Sequence, residues 1–373
     1  MKRLFLVLFS AILLHGSSLA CTSAIVAPQR SSEGVPLLWK HRDNGKFPNT
    51  RIEHITDGTY AYSAVVPNNE KYASGVYAGI NEKGFGVIST ATRNLPESTP
   101  EEYKACKRRR MRGGAMWNGL RECATVDEFE ELLKTTKRSR RSHSNFGVGD
   151  ASGAVAYFEV WDVGYRRYDI GESGNDGFDV RSNFSHAGYP EKIETSKRRY
   201  DLIMREMSEH KGNFSPSDFI GYSRSYNSIK YGDVLTLKSR YACSNHTVPR
   251  YTTVGSFVMV CDGKNPRMLV MNGHSVSSLA VPVYVKAKHE IPQCVHGDAM
   301  RLLSNDFREK GYFKDGKKKY ILNKDVISSV LKIKHPKIEM PSEMPKDIRK
   351  FNAKIDKQFA KHEKRVRKVL AKF

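Results

Sequence analysis

Residues 21–43 read CTSAIVAPQRSSEGVPLLWKHRD. Two apolar runs in this stretch, at residues 22–27 and 35–39, are rich in strand-forming side chains and are separated by a Ser-Ser-Glu-Gly turn. A strand of about six residues covers roughly 20 Å, so a hairpin of these two strands returns the Lys-His-Arg-Asp end to its starting point. The stretch therefore predicts that Cys21 and Asp43 lie at the same end of a β-hairpin.

The first 20 residues have the layout of a secretory signal. Two basic residues precede an apolar run of 11 residues, 4–14, which is too short to span a bilayer because a membrane helix needs about 20. Small residues at Ser18 and Ala20 suit a signal peptidase. We therefore expect export to the periplasm or the extracellular space, with cleavage between Ala20 and Cys21.

The composition excludes two broad classes of protein. The chain has 373 residues, 39% of them hydrophobic, and a mean hydropathy of −0.54, so neither a polytopic membrane protein nor a disordered chain is expected. The formal net charge of +22 permits an anionic partner. Basic clusters at residues 107–110 and 137–141 have no interleaved aromatic residues. Solvated surfaces are therefore favoured there, and no nucleic-acid partner is expected.

The C-terminal part differs from the rest in charge. Residues 309–373 contain 20 Lys and Arg against 8 Asp and Glu. After Pro345, apolar residues recur every three or four positions, as in an amphipathic helix. That helix can pack on the domain, which we favour, or associate with an anionic surface. We predict a signal peptide at 1–20, a catalytic domain at 21–308 and a basic, mainly helical extension at 309–373.

A cysteine at the start of the mature chain permits three readings: a lipid anchor, a catalytic nucleophile or a structural residue. Lipoprotein signals normally have an aliphatic residue three positions before the cysteine, whereas this chain has Ser18 there. As a nucleophile, Cys21 would use its own α-amino group as the base. The reference pKa values of the amine, about 7.7–8.0, and of the thiol, about 8.5, are close enough for proton exchange.

The run Cys-Thr-Ser-Ala-Ile-Val, a turn and then Leu-Leu-Trp-Lys-His-Arg-Asp resemble the start of a group of cysteine N-terminal nucleophile (Ntn) hydrolases. The group contains penicillin V acylase, choloylglycine (bile salt) hydrolase and isopenicillin N acyltransferase. The resemblance implies an α+β fold, a four-layer αββα sandwich, in which Asp43 contacts the α-amino group of Cys21. The group often has an Arg three residues before this Asp. Here that place is Lys40, with Arg42 nearby, so the cationic role stays open between them.

Residues 78–87, AGINEKGFGV, are similar to the Gly-x-Asn-Glu-x-Gly turn and strand of the same group. Just beyond this turn the group has an oxyanion-hole residue, often an Asn. In this chain Asn94 is the only amide in the corresponding segment, and Ser89, Thr90 and the Ala91 backbone are its rivals.

Two later segments complete the predicted site. Asn183 lies in a segment that resembles the one holding a second active-site Asn. We predict that it binds the oxyanion, an interaction worth about 2.7–4 kcal/mol in comparable hydrolases. The group also has a late Arg near its nucleophile, where a cation favours the thiolate. Arg250 is the candidate for this Arg, and Arg240 is the alternative.

No metal or cofactor site is predicted. The five cysteines other than Cys21 lack Cys-x-x-Cys spacing, and no His-x-x-x-His pattern has a partner Glu. Because five is an odd number, at least one of these cysteines is expected to be free in an oxidising compartment.

These observations predict a secreted amidohydrolase or acyltransferase that acts on a linear N-acyl amide through an acyl-thioester on Cys21. One alternative is a cysteine dipeptidase, because a related peptidase group also begins Cys-Thr-x-x-x-Val and ends its second strand in Asp. The other is a lipid-anchored binding protein in which Asp43 is incidental. The mass of the N-terminus separates the enzyme from the anchored protein, and a panel of N-acyl amides and dipeptides separates the two enzymes.

Overall fold

The structure is a computed structural model that describes residues 20–68, 75–170, 176–189, 194–238, 244–315, 319–336 and 338–373. The predicted signal peptide, apart from Ala20, lies outside the described residues, as do Arg240 and Cys243. No helix in these ranges is long and apolar enough to cross a membrane.

The described residues form the following strands and helices. The strands are β1 (Thr22–Val26), β2 (Leu37–Asp43), β3 (Thr50–Ile55), β4 (Tyr62–Pro67), β5 (Ala78–Asn81), β6 (Gly86–Ala91), β7 (Arg109–Arg110), β8 (Thr136–Lys137), β9 (Ser144–Gly149), β10 (Val155–Val160), β11 (Tyr165–Asp169), β12 (Phe178–Arg181), β13 (Asn227–Ser228), β14 (Gly232–Asp233), β15 (Thr253–Val260), β16 (Arg267–Met271), β17 (Val281–Tyr284), β18 (Tyr312–Asp315) and β19 (Lys319–Leu322). The helices are α1 (Pro100–Ala105), α2 (Ala115–Glu122), α3 (Val126–Thr135), α4 (Glu194–Ser208), α5 (Pro216–Arg224), α6 (Gln293–His296), α7 (Ala299–Gly311), α8 (Lys324–Leu331) and α9 (Ile348–Leu370).

In the described part of the chain, two large sheets contain most of the strands. The six-stranded sheet has the order β12-β1-β2-β15-β16-β17, and the seven-stranded sheet has the order β11-β10-β9-β6-β5-β4-β3. All neighbouring strands in both sheets are antiparallel. The predicted hairpin of residues 22–43 is confirmed, because β1 and β2 pair directly.

Successive side chains along each strand belong to different hydrophobic cores. In β1 and β2, Ile25 and Leu38 join the core between the two sheets, whereas Ala24 and Trp39 join an outer core with α4 and α5. The outer face of the seven-stranded sheet packs against α2 and α3 in a third core. Because side chains on a strand point alternately to opposite faces, each sheet buries both faces. The predicted αββα sandwich is confirmed.

Two local features follow directly from residue chemistry. Gly84 has φ of +84° between β5 and β6, and a Cβ there would lie 3.0 Å from the backbone of Asp262, so the predicted turn requires glycine. Thr125 caps α3, since its side chain accepts a hydrogen bond from the Glu128 N–H and the Glu128 carboxylate accepts one from the Thr125 N–H.

The C-terminal residues are part of the main core. The predicted boundary between residues 308 and 309 falls inside α7, and Tyr312, Ile355, Phe359 and Val366 belong to the same core as Ile25. The apolar face of α9 therefore packs against the domain, which is the alternative favoured from the sequence, and residues of the C-terminal extension contribute to the same core as the catalytic domain. The lysines of α9 remain on its outer side.

Candidate active site

Cys21 lies at the point where three adjacent strands end. It immediately precedes β1 and is only 5% exposed. The pairing of β1 with β2 runs through Ser23–Lys40 and Thr22–His41, so the next step places Cys21 opposite Arg42. On the other side, β1 pairs with β12 through Ser23–Arg181, and two further steps place Cys21 opposite Asn183.

The two cations that the sequence left open lie on one face of β2. The Lys40 ammonium donates a hydrogen bond to the Tyr77 carbonyl (2.8 Å), and the Arg42 guanidinium lies 3.7 Å from the centre of the Tyr77 ring. Burial lowers the pKa of Lys40 to about 8, although the charge of Cys21 acts in the opposite direction. Burial also lowers the pKa of Arg42, again opposed by Cys21. The structure therefore brings both cations near Cys21.

Asp43 lies on the opposite face of β2 and is completely buried. The Thr253 hydroxyl donates to its Oδ1 (2.8 Å), and Arg250 Nε lies 3.3 Å from its Oδ2. Burial raises the pKa of Asp43 to about 6, against the lowering effect of Arg250 and Arg199. Within the described residues, Oδ2 accepts no hydrogen bond. One carboxylate oxygen is thus held in place, while the other is available to a further donor.

His41 helps to orient this carboxylate. Its Nε2 lies 3.1 Å from Thr253 Oγ1, and burial beside Arg250 and Arg199 lowers the pKa of His41 to about 3, so the ring is neutral. Because the Thr253 hydrogen is donated to Asp43, Nε2 must be the donor of the His41–Thr253 bond. His41, Thr253 and Asp43 therefore form an ordered chain of hydrogen bonds that the sequence did not predict.

Arg199 of α4 is the main residue that the sequence reasoning missed. Its Nη1 donates to the carbonyl of Cys21 (2.5 Å) and to Thr22 Oγ1 (2.8 Å), and its Nη2 donates to Asn183 Oδ1 (2.9 Å). Burial and the neighbouring Arg250 lower the pKa of Arg199 to about 9. One guanidinium thus ties the backbone of Cys21 to the predicted oxyanion residue.

The sequence contains one weak indication that Arg199 is buried. Arg199, Ile203 and Met207 are spaced by four residues and share the buried face of α4. A charged residue on an otherwise apolar helix face needs a buried partner. Because Lys197 and Arg198 directly precede Arg199, the three residues together look like a solvent-exposed basic run, and the burial of Arg199 is not apparent from the sequence.

Asn183 is 4% exposed and has one free amide hydrogen in the described contacts. Its Nδ2 donates to the Ala91 carbonyl (2.7 Å), and its Oδ1 accepts from Arg199. The strand before it is anchored by a buried ion-pair network, in which Arg181 bonds Glu159 and Asp179, both at 2.8 Å. The second Nδ2 hydrogen is therefore presented from a rigid support.

Asn94 has a different set of contacts. Its amide donates to the carbonyls of Ser185 (2.8 Å) and Tyr189 (3.3 Å), while its oxygen accepts from Thr92 Oγ1 and from the Ser185 N–H. Both of its N–H groups are thus used to join its loop to the segment after Asn183. Of its predicted rivals, the Thr90 hydroxyl donates to the Ser182 carbonyl, and the Ala91 carbonyl accepts from Asn183.

A cavity of about 450 Å³ opens next to the cations. It is formed by the loop after β2 and the β4–β5 connection, and its lining residues are Asn44, Lys46, Pro48, Asn49, Pro67, Asn68 and Tyr77. Tyr77 is also the residue that contacts Lys40 and Arg42. The cavity therefore adjoins the face of β2 on which Cys21 lies, and its lining combines polar side chains with two prolines and the Tyr77 ring.

Metal ligation has no support in the part of the chain that the structure describes, because it contains no group of three or more His, Cys, Asp or Glu suited to a metal ion. The described cysteines, which are Cys21, Cys106, Cys123, Cys261 and Cys294, are all free.

Comparisons with known proteins give likenesses of fold. No family model matches the sequence, and no curated protein sequence matches it. The structure is similar to a Caenorhabditis elegans ortholog of N-acylethanolamine-hydrolyzing acid amidase, with 17% identity and a TM-score of 0.40 over 64% of this chain and 92% of that one. It is also similar to conjugated bile acid hydrolase from Clostridium perfringens (11% identity, TM-score 0.40, 71% of this chain and 93% of that one). Penicillin V acylase from Agrobacterium tumefaciens is a third match (12% identity, TM-score 0.41, 71% and 86%). Bile acid hydrolase and penicillin V acylase are also named above among the group that the sequence resembles. Because each TM-score is below 0.5, the functional argument rests on the chain's own residues.

Proposed function

We propose that this protein is an N-terminal-cysteine amidohydrolase, exported and cleaved between Ala20 and Cys21, which forms an acyl-thioester on Cys21. One observation carries the proposal. Within the described residues, Oδ2 of the buried Asp43 carboxylate lies beside Arg250 but accepts no hydrogen bond, and it is placed at the end of β2 that adjoins Cys21. An α-ammonium group formed there by cleavage would satisfy that oxygen and would be oriented by it.

The chemistry uses the groups already in place. The Cys21 thiol gives its proton to the α-amino group, and Sγ attacks the amide carbonyl carbon of the substrate. The oxyanion accepts the second Nδ2 hydrogen of Asn183. The tetrahedral intermediate then collapses to a thioester and the leaving amine takes the proton from the α-ammonium. Water, or an acceptor amine in the acyltransferase variant, attacks the thioester and returns a proton to Cys21 through the same base.

Three cations surround the proposed nucleophile. Lys40 and Arg42 lie on the side of the sheet to which Cys21 points, and Arg199 holds its carbonyl. Arg250 lies beside Asp43 and moderates the effect of burial on that carboxylate.

The adjoining cavity supports a polar substrate group. Lys46, Asn44, Asn49 and Asn68 provide a cation and amide groups there. The Lys46 ammonium can pair with a carboxylate of the substrate, and the amide N–H groups of the three Asn side chains can donate hydrogen bonds to it. We therefore include N-acyl amino acids in the substrate class.

The test begins with protein purified from the exported fraction. The mass of the N-terminus should correspond to a chain that starts at Cys21 without lipid. Incubation with N-acyl amino acids, neutral N-acyl amides and dipeptides should release amine from the first class, and rapid acid quenching should trap an acyl adduct on Cys21. Cys21→Ala should lack both signals, while Cys106→Ala, a change at another free and only partly buried cysteine, should retain them.

Other outcomes would contradict the proposal in distinct ways. A diacylated N-terminus would favour the anchored binding protein. Turnover of dipeptides alone would favour the peptidase. An acyl adduct that persists in Cys21→Ala would show that another residue is the nucleophile.

A further inference from the structure

The two basic clusters of the sequence meet in the fold. The short strands β7 and β8 pair in parallel, with Arg109 beside Thr136 and Arg110 beside Lys137. Since α2 and α3 lie between these strands in the chain, residues 107–112 and 137–141 become neighbours only through this pairing. The solvated runs expected from the sequence therefore form one continuous basic surface.

This surface contains an open cleft of about 810 Å³, which we name the arginine cleft. It is lined by Arg109, Arg110, Met111, Arg112, Gly113 and Ser139. All three arginines are exposed, and Arg110 Nη2 lies 3.4 Å from Ser139 Oγ. Among the described residues, Arg109 and Arg112 have neither an ion pair nor a side-chain hydrogen bond.

Neighbouring acids do not neutralise the arginine cleft. Glu97 is paired with Arg141 (3.3 Å). Asp162 accepts hydrogen bonds from Ser98 Oγ and from the Arg141 N–H, and it raises the pKa of Arg138 against the lowering effect of burial. The charges of the arginine cleft are therefore without compensation in the described part of the chain.

A helix N-terminus at the end of the cleft also attracts anions, although more weakly than the arginines. Helix α2 starts directly after Gly113 and Gly114, it has no side-chain cap, and its first turn contains no acidic residue. Its free N–H groups and the positive end of its dipole favour an anion. This feature strengthens a site that the arginines define.

We propose that the arginine cleft binds a ligand that carries more than one phosphate group. A guanidinium presents a planar fork that matches phosphate oxygens in a bidentate manner. The three positive charges exceed the charge of about −1.5 to −2 that a single phosphate monoester carries at pH 7, and the volume accommodates two phosphates and the group that joins them. The ligand is a soluble diphosphate or the doubly phosphorylated headgroup of a lipid, which share this chemistry.

The test measures binding by the mature protein at fixed ionic strength. Pyrophosphate is titrated calorimetrically and compared with orthophosphate and sulfate. In a second arm, phosphatidylcholine vesicles with and without a lipid that has a bisphosphorylated headgroup are sedimented with the protein. We expect pyrophosphate or the phosphorylated vesicles to bind at least tenfold more tightly than their controls, and the arm that binds identifies the source.

Two double variants distinguish binding at the arginine cleft from a general effect of the protein's positive charge. Arg109→Gln with Arg112→Gln should weaken binding at least tenfold. Lys357→Gln with Lys361→Gln removes the same charge from the exposed face of α9, where these lysines have no ion pair among the described residues, and should change binding less than twofold. Equal weakening by both double variants, or no binding in either arm, would overturn the proposal.

A third variant keeps the test independent of misfolding. Gly114 is exposed with φ of −87°, which any residue adopts, and Asp is a favoured N-cap residue. Gly114→Asp should therefore maintain or raise the thermal midpoint while its charge abolishes binding. Wild-type affinity in Gly114→Asp would place the anion elsewhere and overturn the proposal. Because the readout is binding, a failure here is distinguishable from a failure of the amidohydrolase function.

Discussion

Replacing Asp43 with Asn should stabilise the uncleaved precursor and inactivate the mature enzyme. Burial raises the pKa of this carboxyl from 3.8 to about 6. Between these two pH values the folded chain holds a proton that the unfolded chain has lost, so stability falls as the pH rises through this window. The difference corresponds to about 3 kcal/mol that ionised Asp43 costs the fold at pH 7. Asn cannot ionise and avoids this cost.

The assay is urea unfolding of wild type and Asp43→Asn between pH 4 and pH 8. The two precursors should be equally stable near pH 4, and the variant should gain about 1–3 kcal/mol by pH 7, the lower values applying if its amide hydrogens face Arg250. Glu343→Gln is a matched control, because Glu343 is exposed and unpaired in the described residues, and it should show no such gain.

The comparison that can refute this reasoning is between the precursor and the mature chain, from which the signal peptide has been cleaved. In the mature chain the α-ammonium of Cys21 would compensate the charge of Asp43, so the gain from Asp43→Asn should shrink or reverse. Its kcat should fall by about 10²-fold, the scale of a general-base defect, with a shifted acidic limb of the pH–rate profile. An equal stability gain in both forms, or an unchanged kcat, would show that Asp43 does not contact the amine.

The remaining predictions concern four other features. Cys21→Ala should abolish turnover and lower the thermal midpoint by no more than a few degrees, because Cys21 is buried but the change removes a single sulfur atom; wild-type turnover would disprove the assignment of the nucleophile. Arg199→Lys keeps the charge but cannot hold Cys21, Thr22 and Asn183 together, so kcat should fall at least tenfold with a smaller change in KM; an unchanged kcat would leave Arg199 with a packing role. The precursor with residues 1–20 attached should be inactive, and activity of a precursor verified as uncleaved by mass would contradict this. Burial lowers the pKa of His362 from 6.5 to about 4, so the folded protein loses stability as the pH falls from 6.5 towards 4. In urea unfolding at pH 7 and pH 4.5, His362→Gln should lose up to about 3 kcal/mol less stability between the two pH values than the wild type. The same loss in both proteins would contradict this prediction.

The parts of the fold that were predicted correctly depend on local chemistry. The hairpin that ends in Asp43 follows from alternation and a turn within one short stretch, and the Gly84 turn follows from a positive φ. The helix after Pro345 follows from apolar spacing and is found as α9. Packing on the domain was the favoured alternative, but which core receives the helix depends on contacts between residues far apart in the chain.

The site was predicted unevenly. Lys40, Arg42 and Asp43 are adjacent in sequence, so the hairpin positions them together with Cys21. Asn94 was selected as the only amide of its segment, but its contacts depend on a loop from a distant part of the chain.

The sequence by itself determined the β1–β2 hairpin, the amphipathic helix after Pro345 and the proximity of Cys21 to Asp43. Each depends on residues that are close in the chain or on a two-residue or 3.6-residue period. Only the tertiary structure decided that Arg199 holds the Cys21 carbonyl across 178 positions, and that two separate basic runs form the arginine cleft. Such contacts depend on how layers and strands pack. Arg198 and Arg199 are adjacent in the chain, yet packing buries Arg199 completely and leaves Arg198 partly exposed.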